Sequence, residues 1–185
     1  MIIIFGATGD LTKRKLIPAL YKLYHKQILK ENIPILCVSR RPISKDRFIE
    51  LLNIQEFIPD ADQKVLSKFL KLINYFQLDF TEKERCPDFA SFIDKIDKEY
   101  GCGGNRIFYL ATYPGLFKSV VEILQSCRLL EDKGYKRVVF EKPFGHDLSS
   151  ARRLNECIRS VFKEREIYRI DHLKAMGANG FYPRI

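Results

Sequence analysis

The stretch Ile2-Ile3-Ile4-Phe5-Gly6-Ala7-Thr8-Gly9-Asp10-Leu11 decides the fold of this chain. Four apolar residues, with β-branched Ile2, Ile3 and Ile4 among them, read as a short buried strand. Gly6 and Gly9 punctuate a tight turn, and Leu16 to Lys30 carries the apolar spacing of a helix. A strand, a glycine turn and a helix in that order make an anion cradle. Amides at the helix N-terminus point at the ligand, and missing side chains let a pyrophosphate come close. The spacing is G-x-x-G rather than the longer G-x-G-x-x-G fingerprint. Glycine is also the ordinary solution for a tight turn, so this stretch alone leaves open both a phosphate site and a plain turn.

Outward from it, Ile33 to Val38 reads as a second buried strand ending at Ser39-Arg40-Arg41-Pro42. Pro18 fits the first helix only if regular helix begins near Lys15, because proline is accepted in a first turn. Ser44 is a helix N-cap for a segment running towards Leu52. Asp60 to about Asn74 reads as an amphipathic helix with Val65, Phe69, Leu70, Leu72 and Ile73 inward, and Phe76 to Phe80 alternates as a strand. Pro87 to Tyr100 is helical, stopped by Gly101 to Asn105. Arg106 to Ala111 is a strand, and Pro114-Gly115 opens a helix through about Ser126. Arg137 to Glu141 is a strand, Asp147 caps the helix carrying Leu154, Ile158 and Phe162, and Glu166 to Ile170 is a last strand. Strands alternating with helices argue for an α/β fold: a doubly wound, mostly parallel, Rossmann-like sheet covered on both faces. Residues 1–172 make one dinucleotide-binding domain and 173–185 a divergent tail.

A chain of 185 residues suits one large domain. It has no apolar run near the roughly 20 residues that span a bilayer, and it opens directly in a strand, which leaves no room for a leader. The five cysteines (Cys37, Cys86, Cys102, Cys127 and Cys157) lack a C-x-x-C pair, so the expectation is reduced thiols, no metal and a cytoplasmic setting. The net charge of +9 calls for an anionic partner. Its basic residues come in short groups at Lys13–Lys15, Arg40–Arg41, Lys136–Arg137 and Arg152–Arg153, without the aromatic-interleaved stripe of a nucleic-acid surface. A phosphorylated small molecule explains the balance without nucleic acid.

In such a fold the end of the second strand meets the adenosine ribose, where an acid selects NAD and an arginine selects NADP. Here that strand ends at Arg40-Arg41, with no acid along the sequence until Asp46. A guanidinium fork suits a 2′-phosphate in charge and shape. One charge-assisted hydrogen bond is worth about 1.5–3 kcal/mol, so NADP is expected to be favoured by one or two orders of magnitude.

At Glu141-Lys142-Pro143-Phe144-Gly145, Asp147-Leu148 and Tyr168-Arg169-Ile170-Asp171-His172 the chain resembles the glucose-6-phosphate dehydrogenase family. The family patterns G-A-S/T-G-D-L, R-I/L-F-Y-L-A, E-K-P-F-G-x-D-L and Y-R-I-D-H occur in order, and the resemblance covers residues 1–172. It implies that Gly6, Thr8, Gly9, Asp10 and Leu11 lie around the coenzyme phosphates, Arg40 at the 2′-phosphate and Ala111 in a loop near the coenzyme. It further implies that Lys142 contacts both substrate and nicotinamide, with Pro143 shaping the junction. Asp171 would orient the catalytic base and His172 would hold the phosphate of glucose 6-phosphate. Oxidising a sugar C1 hydroxyl needs a base for the proton and a hydride acceptor beside the carbon, which is the chemistry these residues would serve.

The likeness breaks after His172. The family continues Y-L-G-K-E, whereas this chain runs Leu173-Lys174-Ala175-Met176-Gly177. The family base is a histidine in a C-terminal antiparallel α+β domain absent here, and His25 and His146 stand in unlike contexts. The resemblance therefore implies a truncated or split dehydrogenase, weak by itself because a missing base costs about 10²–10⁴-fold. The family is usually homo-oligomeric through that missing domain. The alternative is a catalytically silent module that keeps NADP affinity.

Overall fold

The computed structural model of the chain describes residues 1–141 and 148–170. At its centre β1 (Ile2–Phe5) pairs in parallel with β2 (Ile35–Ser39) on one side and β4 (Arg106–Leu110) on the other, Ile2 standing opposite both Ile35 and Ile107. β3 (Ile73–Gln77) extends the sheet beyond β2, and β5 (Lys136–Glu141) and β6 (Ile167–Ile170) extend it beyond β4. The six strands run β3-β2-β1-β4-β5-β6, all parallel. This is the doubly wound order read from the alternating pattern, and it places a topological switch point between β1 and β4.

Both faces are covered. Ile4, Ile35, Cys37, Ile73 and Tyr75 pack against α1 (Ile17–His25), α2 (Lys45–Leu52), the short α3 (Ile54–Phe57) and α4 (Gln63–Leu72). Ile3, Phe5, Val38, Phe108, Val138 and Phe140 pack against α5 (Cys86–Tyr100), α6 (Phe117–Ser126) and α7 (Leu148–Arg159). A four-residue strand with apolar residues on both sides belongs at such a centre. Local signals hold where they are chemical. Ser44 Oγ accepts from the Arg47 amide at 3.1 Å, and Gly101 ends α5 with φ +63°.

Several boundaries differ from the sequence reading. The first helix ends at His25 rather than Lys30, because Gln27 takes φ +58° and the Ile28 and Leu29 amides both return to Leu23 O. It is entered through a π turn, Thr12–Leu16, whose shifted register places Pro18 in the first turn of α1, where its missing N–H is tolerated. The helix over 60–74 stops at Leu72, capped at its start by Asp62, and Ile73 begins β3 directly. The expected strand Phe76–Phe80 is thus three residues late. Leu66 rather than Val65 joins Phe69 and Leu72 in the core, Val65 and Leu70 being half-buried. The α3 turn carried no sequence signal.

Cys86, at the start of α5, and Cys127, just past α6, are joined as a disulfide with their Cα atoms 4.7 Å apart. The expectation that all five thiols are reduced is therefore wrong for this pair; Cys37, Cys102 and Cys157 are free.

Lys136, named with Arg137 among the short basic groups of the sequence, turns inward. It is buried, and its Nζ donates to the carbonyls of Gly104, Asp132 and Gly134 at 2.9–3.1 Å, with burial pulling its pKa below the usual lysine range. Beside it Arg106, 2% exposed, pairs with Asp132 and donates to Leu129 O at 2.8 Å. These two cations fasten the N-terminal ends of β4 and β5 rather than presenting charge to a ligand.

Candidate coenzyme site

The cleft of interest opens at the C-terminal ends of the strands, across the switch point between β1 and β4. It has a volume of about 390 Å³. One wall is the glycine turn with Gly6, Thr8 and Gly9; the floor continues through Ser39 and Arg40 at the end of β2. Leu78, Asp79 and Phe80, after β3, form a second wall, and Ala111, Thr112, Tyr113 and Leu116, after β4, a third.

The turn is built by short backbone bonds. The Gly6 and Ala7 amides both donate to Val38 O at 3.0 Å, and the Gly9 amide closes back on Gly6 O at 2.9 Å. Lys13 N–H reaches Gly9 O at 3.3 Å, so the helical backbone begins just after Gly9 and its first amides precede any intrahelical acceptor. Buried Thr12 secures the turn from below, its Oγ1 donating to Gly6 O at 3.4 Å. Gly6 has φ +88°, and a Cβ there would lie 2.7 Å from Ala111 O and 2.8 Å from Thr112 Cγ2. The glycine makes the turn, and its bare backbone lets the β4 loop approach β1.

Two observations fit a phosphorylated dinucleotide. The first amides of the helix after Gly9, which no helical carbonyl accepts, suit an anion. Thr112 Oγ1 is buried at the cleft wall without a hydrogen-bond partner among the described residues, so it has capacity for a ligand. Gly6, Thr8 and Gly9 would hold the phosphates through their backbone, and Arg40 would meet charge at the ribose end.

Of the residues implied by resemblance, the structure brings Gly6, Thr8, Gly9, Arg40 and Ala111 to this cleft. Asp10 and Leu11 do not line it. The Asp10 carboxylate is 79% exposed and pairs with Arg14 at 2.7 Å, and the Leu11 side chain packs on the α1 side of the core. Lys142, Pro143, Asp147, Asp171 and His172 lie outside the described residues. Leading towards Lys142, Tyr109 donates its hydroxyl to Glu141 Oε1; burial first, then that bond, hold the phenol above the usual tyrosine range.

Asp79 is the acid that sequence reading missed. Its carboxylate accepts from the Thr81 amide at 3.0 Å and hydroxyl at 2.8 Å. Those bonds, with Arg40 across the cleft adding, hold it below the usual carboxylate range. The Asp79-x-Thr81 pattern is a local turn signal, but its approach to Arg40 needs β3 beside β2.

Residues 3–177 match the family model described as glucose-6-phosphate dehydrogenase, NAD binding domain. Glucose-6-phosphate 1-dehydrogenase of Chlamydia muridarum is 40% identical over 181 residues, covering 93% of this chain and 36% of that protein. The Bacillus subtilis enzyme of the same name is 37% identical over 172 residues, covering 93% and 35%. Among solved structures, glucose-6-phosphate 1-dehydrogenase from Mycobacterium avium superposes with a TM-score of 0.79 at 34% identity. A glucose-6-phosphate dehydrogenase in complex with its substrate glucose-6-phosphate gives 0.80 at 34% identity; each covers 92% of this chain and 36% of the solved one. The chain thus spans about a third of the length of these relatives. With its all-parallel sheet and switch-point cleft, the chain belongs to the glucose-6-phosphate dehydrogenase family, of which it carries the nicotinamide-coenzyme-binding domain.

Proposed function

We propose that the chain binds NADP in the switch-point cleft and contributes to oxidation of glucose 6-phosphate. The reaction passes a hydride from the sugar C1 to NADP, giving 6-phosphogluconolactone and NADPH, as in the pentose phosphate pathway. The observation that carries this reading is the cleft itself. A side-chain-free turn at Gly6 stands across from the β4 loop, and Arg40 lines the cleft at the end of β2. When bound, the coenzyme accepts the hydride. The residues of this chain hold its phosphates and discriminate its ribose. By resemblance Lys142 and His172 bind the substrate, and Asp171 orients the base. Calorimetric titration of NADP into the folded chain tests the binding half; no heat at millimolar coenzyme would overturn it.

A second reading is a silent NADP-binding module. What supports it is that residues 3–177 match the family's coenzyme-binding domain, while by resemblance its catalytic histidine belongs to another domain. Assaying NADPH formation from glucose 6-phosphate, with and without the remaining two-thirds of a relative supplied in trans, separates the two. Coenzyme binding with no turnover in either assay selects the silent module.

A further inference from the structure

Arg40 is bracketed by a hydrogen-bonded ring that it does not join. Ser39 Oγ and Tyr75 Oη lie 2.7 Å apart, Tyr75 Oη lies 2.6 Å from Arg41 O, and the Arg41 amide donates to Ser39 Oγ at 3.3 Å. A carbonyl only accepts, so the single phenolic proton goes to Arg41 O. The Ser39 hydroxyl then donates to Tyr75. Donors and acceptors are all used, and the ring closes in one direction. Ser39 is 4% and Tyr75 8% exposed, so these bonds form largely away from water, where they are strongest. The Tyr75 ring is fixed in turn by fully buried Phe48, stacked on it at 4.7 Å with 23° between the planes. Arg41 O takes a second bond from the Ile43 amide at 3.0 Å, and Ser39 O receives the Leu78 amide at 2.9 Å. The backbone is therefore held on both sides of Arg40. Arg40 lines the cleft, whereas Tyr75 does not.

We propose that Tyr75 is a positioning residue for coenzyme selection: with Ser39 it clamps the backbone flanking Arg40, and so fixes where the guanidinium meets a ribose 2′-phosphate. The inference rests on the coenzyme reading above. A planar guanidinium discriminates phosphate by geometry as well as charge, and an arginine on a loose loop loses that advantage to the entropy of ordering it. Recognition of the 2′-phosphate is thus set by a tyrosine on a different strand, outside the cleft.

The test uses the intact chain and four probes: NADP, NAD, adenosine 2′,5′-bisphosphate and adenosine 5′-monophosphate. Tyr75→Phe keeps the ring on Phe48 and removes the hydroxyl. Calorimetry should show NADP and the bisphosphate weakened about fivefold, with NAD and the monophosphate changed by less than about twofold. Phe48→Leu loosens the stack on Tyr75 from outside the cleft and should give the same signature; it serves also if Tyr75→Phe fails to fold. In an Arg40→Ala background, Tyr75→Phe should leave the ratio unchanged, because nothing remains to position. Equal weakening of all four probes, or a ratio that still shifts without Arg40, would overturn the inference. Parent protein that binds the bisphosphate no better than the monophosphate would instead overturn the NADP reading beneath it.

Discussion

Ala111 crosses the end of β1 so closely that its carbonyl oxygen lies 2.7 Å from where a side chain on Gly6 would begin. Gly6→Ala must resolve a backbone clash and also adopt φ +88°, so it should cost about 3 kcal/mol and displace the β4 loop that walls the cleft. Gly101→Ala is the control. Its φ is +63°, but nothing lies within 4 Å, so about 1 kcal/mol is expected with coenzyme affinity unchanged. Urea denaturation and coenzyme titration read the two effects separately.

Arg40→Ala should weaken NADP about 10–100-fold and NAD little, following the loss of one or two charge-assisted bonds to the 2′-phosphate. Equal loss for both coenzymes would refute the assignment. The selectivity should also shrink with added salt, since the site is open to water.

Arg106→Ala should destabilise the fold by about 3 kcal/mol or more, because it strips a buried cation from Asp132 and from the Leu129 carbonyl. The loss appears in the denaturation midpoint. Coenzyme affinity of the folded fraction should not move, since Arg106 does not line the cleft.

Acid should unfold the chain partly through Asp62 and Asp79. Backbone amides of Val65 and Lys64 hold the first carboxyl below its ordinary 3.8, and the Thr81 amide and hydroxyl do the same for the second. A depressed folded pKa means that the stabilisation is present above the unfolded value. It is lost as pH falls through the folded one. Stability should therefore be flat near neutrality and decline below about pH 4. Asp62→Ala with Asp79→Ala should lower the neutral plateau and flatten that acid limb in urea titrations from pH 7 to pH 3.

Closing the loop between Cys86 and Cys127 should stabilise the chain by about 4 kcal/mol in the chain-entropy account, given their separation of 41 residues. Thiol titration of unfolded protein should count three free cysteines before reduction and five after it. Five before reduction would show the pair unbonded.

The legible parts were those where one short stretch carries its own punctuation. Ile2–Phe5 is apolar and stopped by Gly6; Ser44 offers its hydroxyl to the next turn; Gly101 ends a helix. The slip at β3 came where punctuation is lacking. Leu72 and Ile73 are adjacent and both apolar, so helix passes into strand with no breaker, and the boundary is set by Ile73 pairing with Ile35. Asp79 and the Ser39–Tyr75 bond were illegible for the same reason: each depends on β3 lying beside β2. The Cys86–Cys127 bond needs α5 beside α6. Residues 10 and 11 belong to the family pattern, yet their side chains turn to Arg14 and to the core, which no pattern foretells.

β1 precedes in the sequence every strand that comes to enclose it. Ile2 needs Ile35 on one flank and Ile107 on the other, so a ribosome must add the whole stretch to β4 before the first strand is shielded. At about 5–20 residues per second, that leaves an apolar edge bare for some 5–20 s. During this interval the nascent chain is open to strand-edge aggregation and offers a substrate for chaperones.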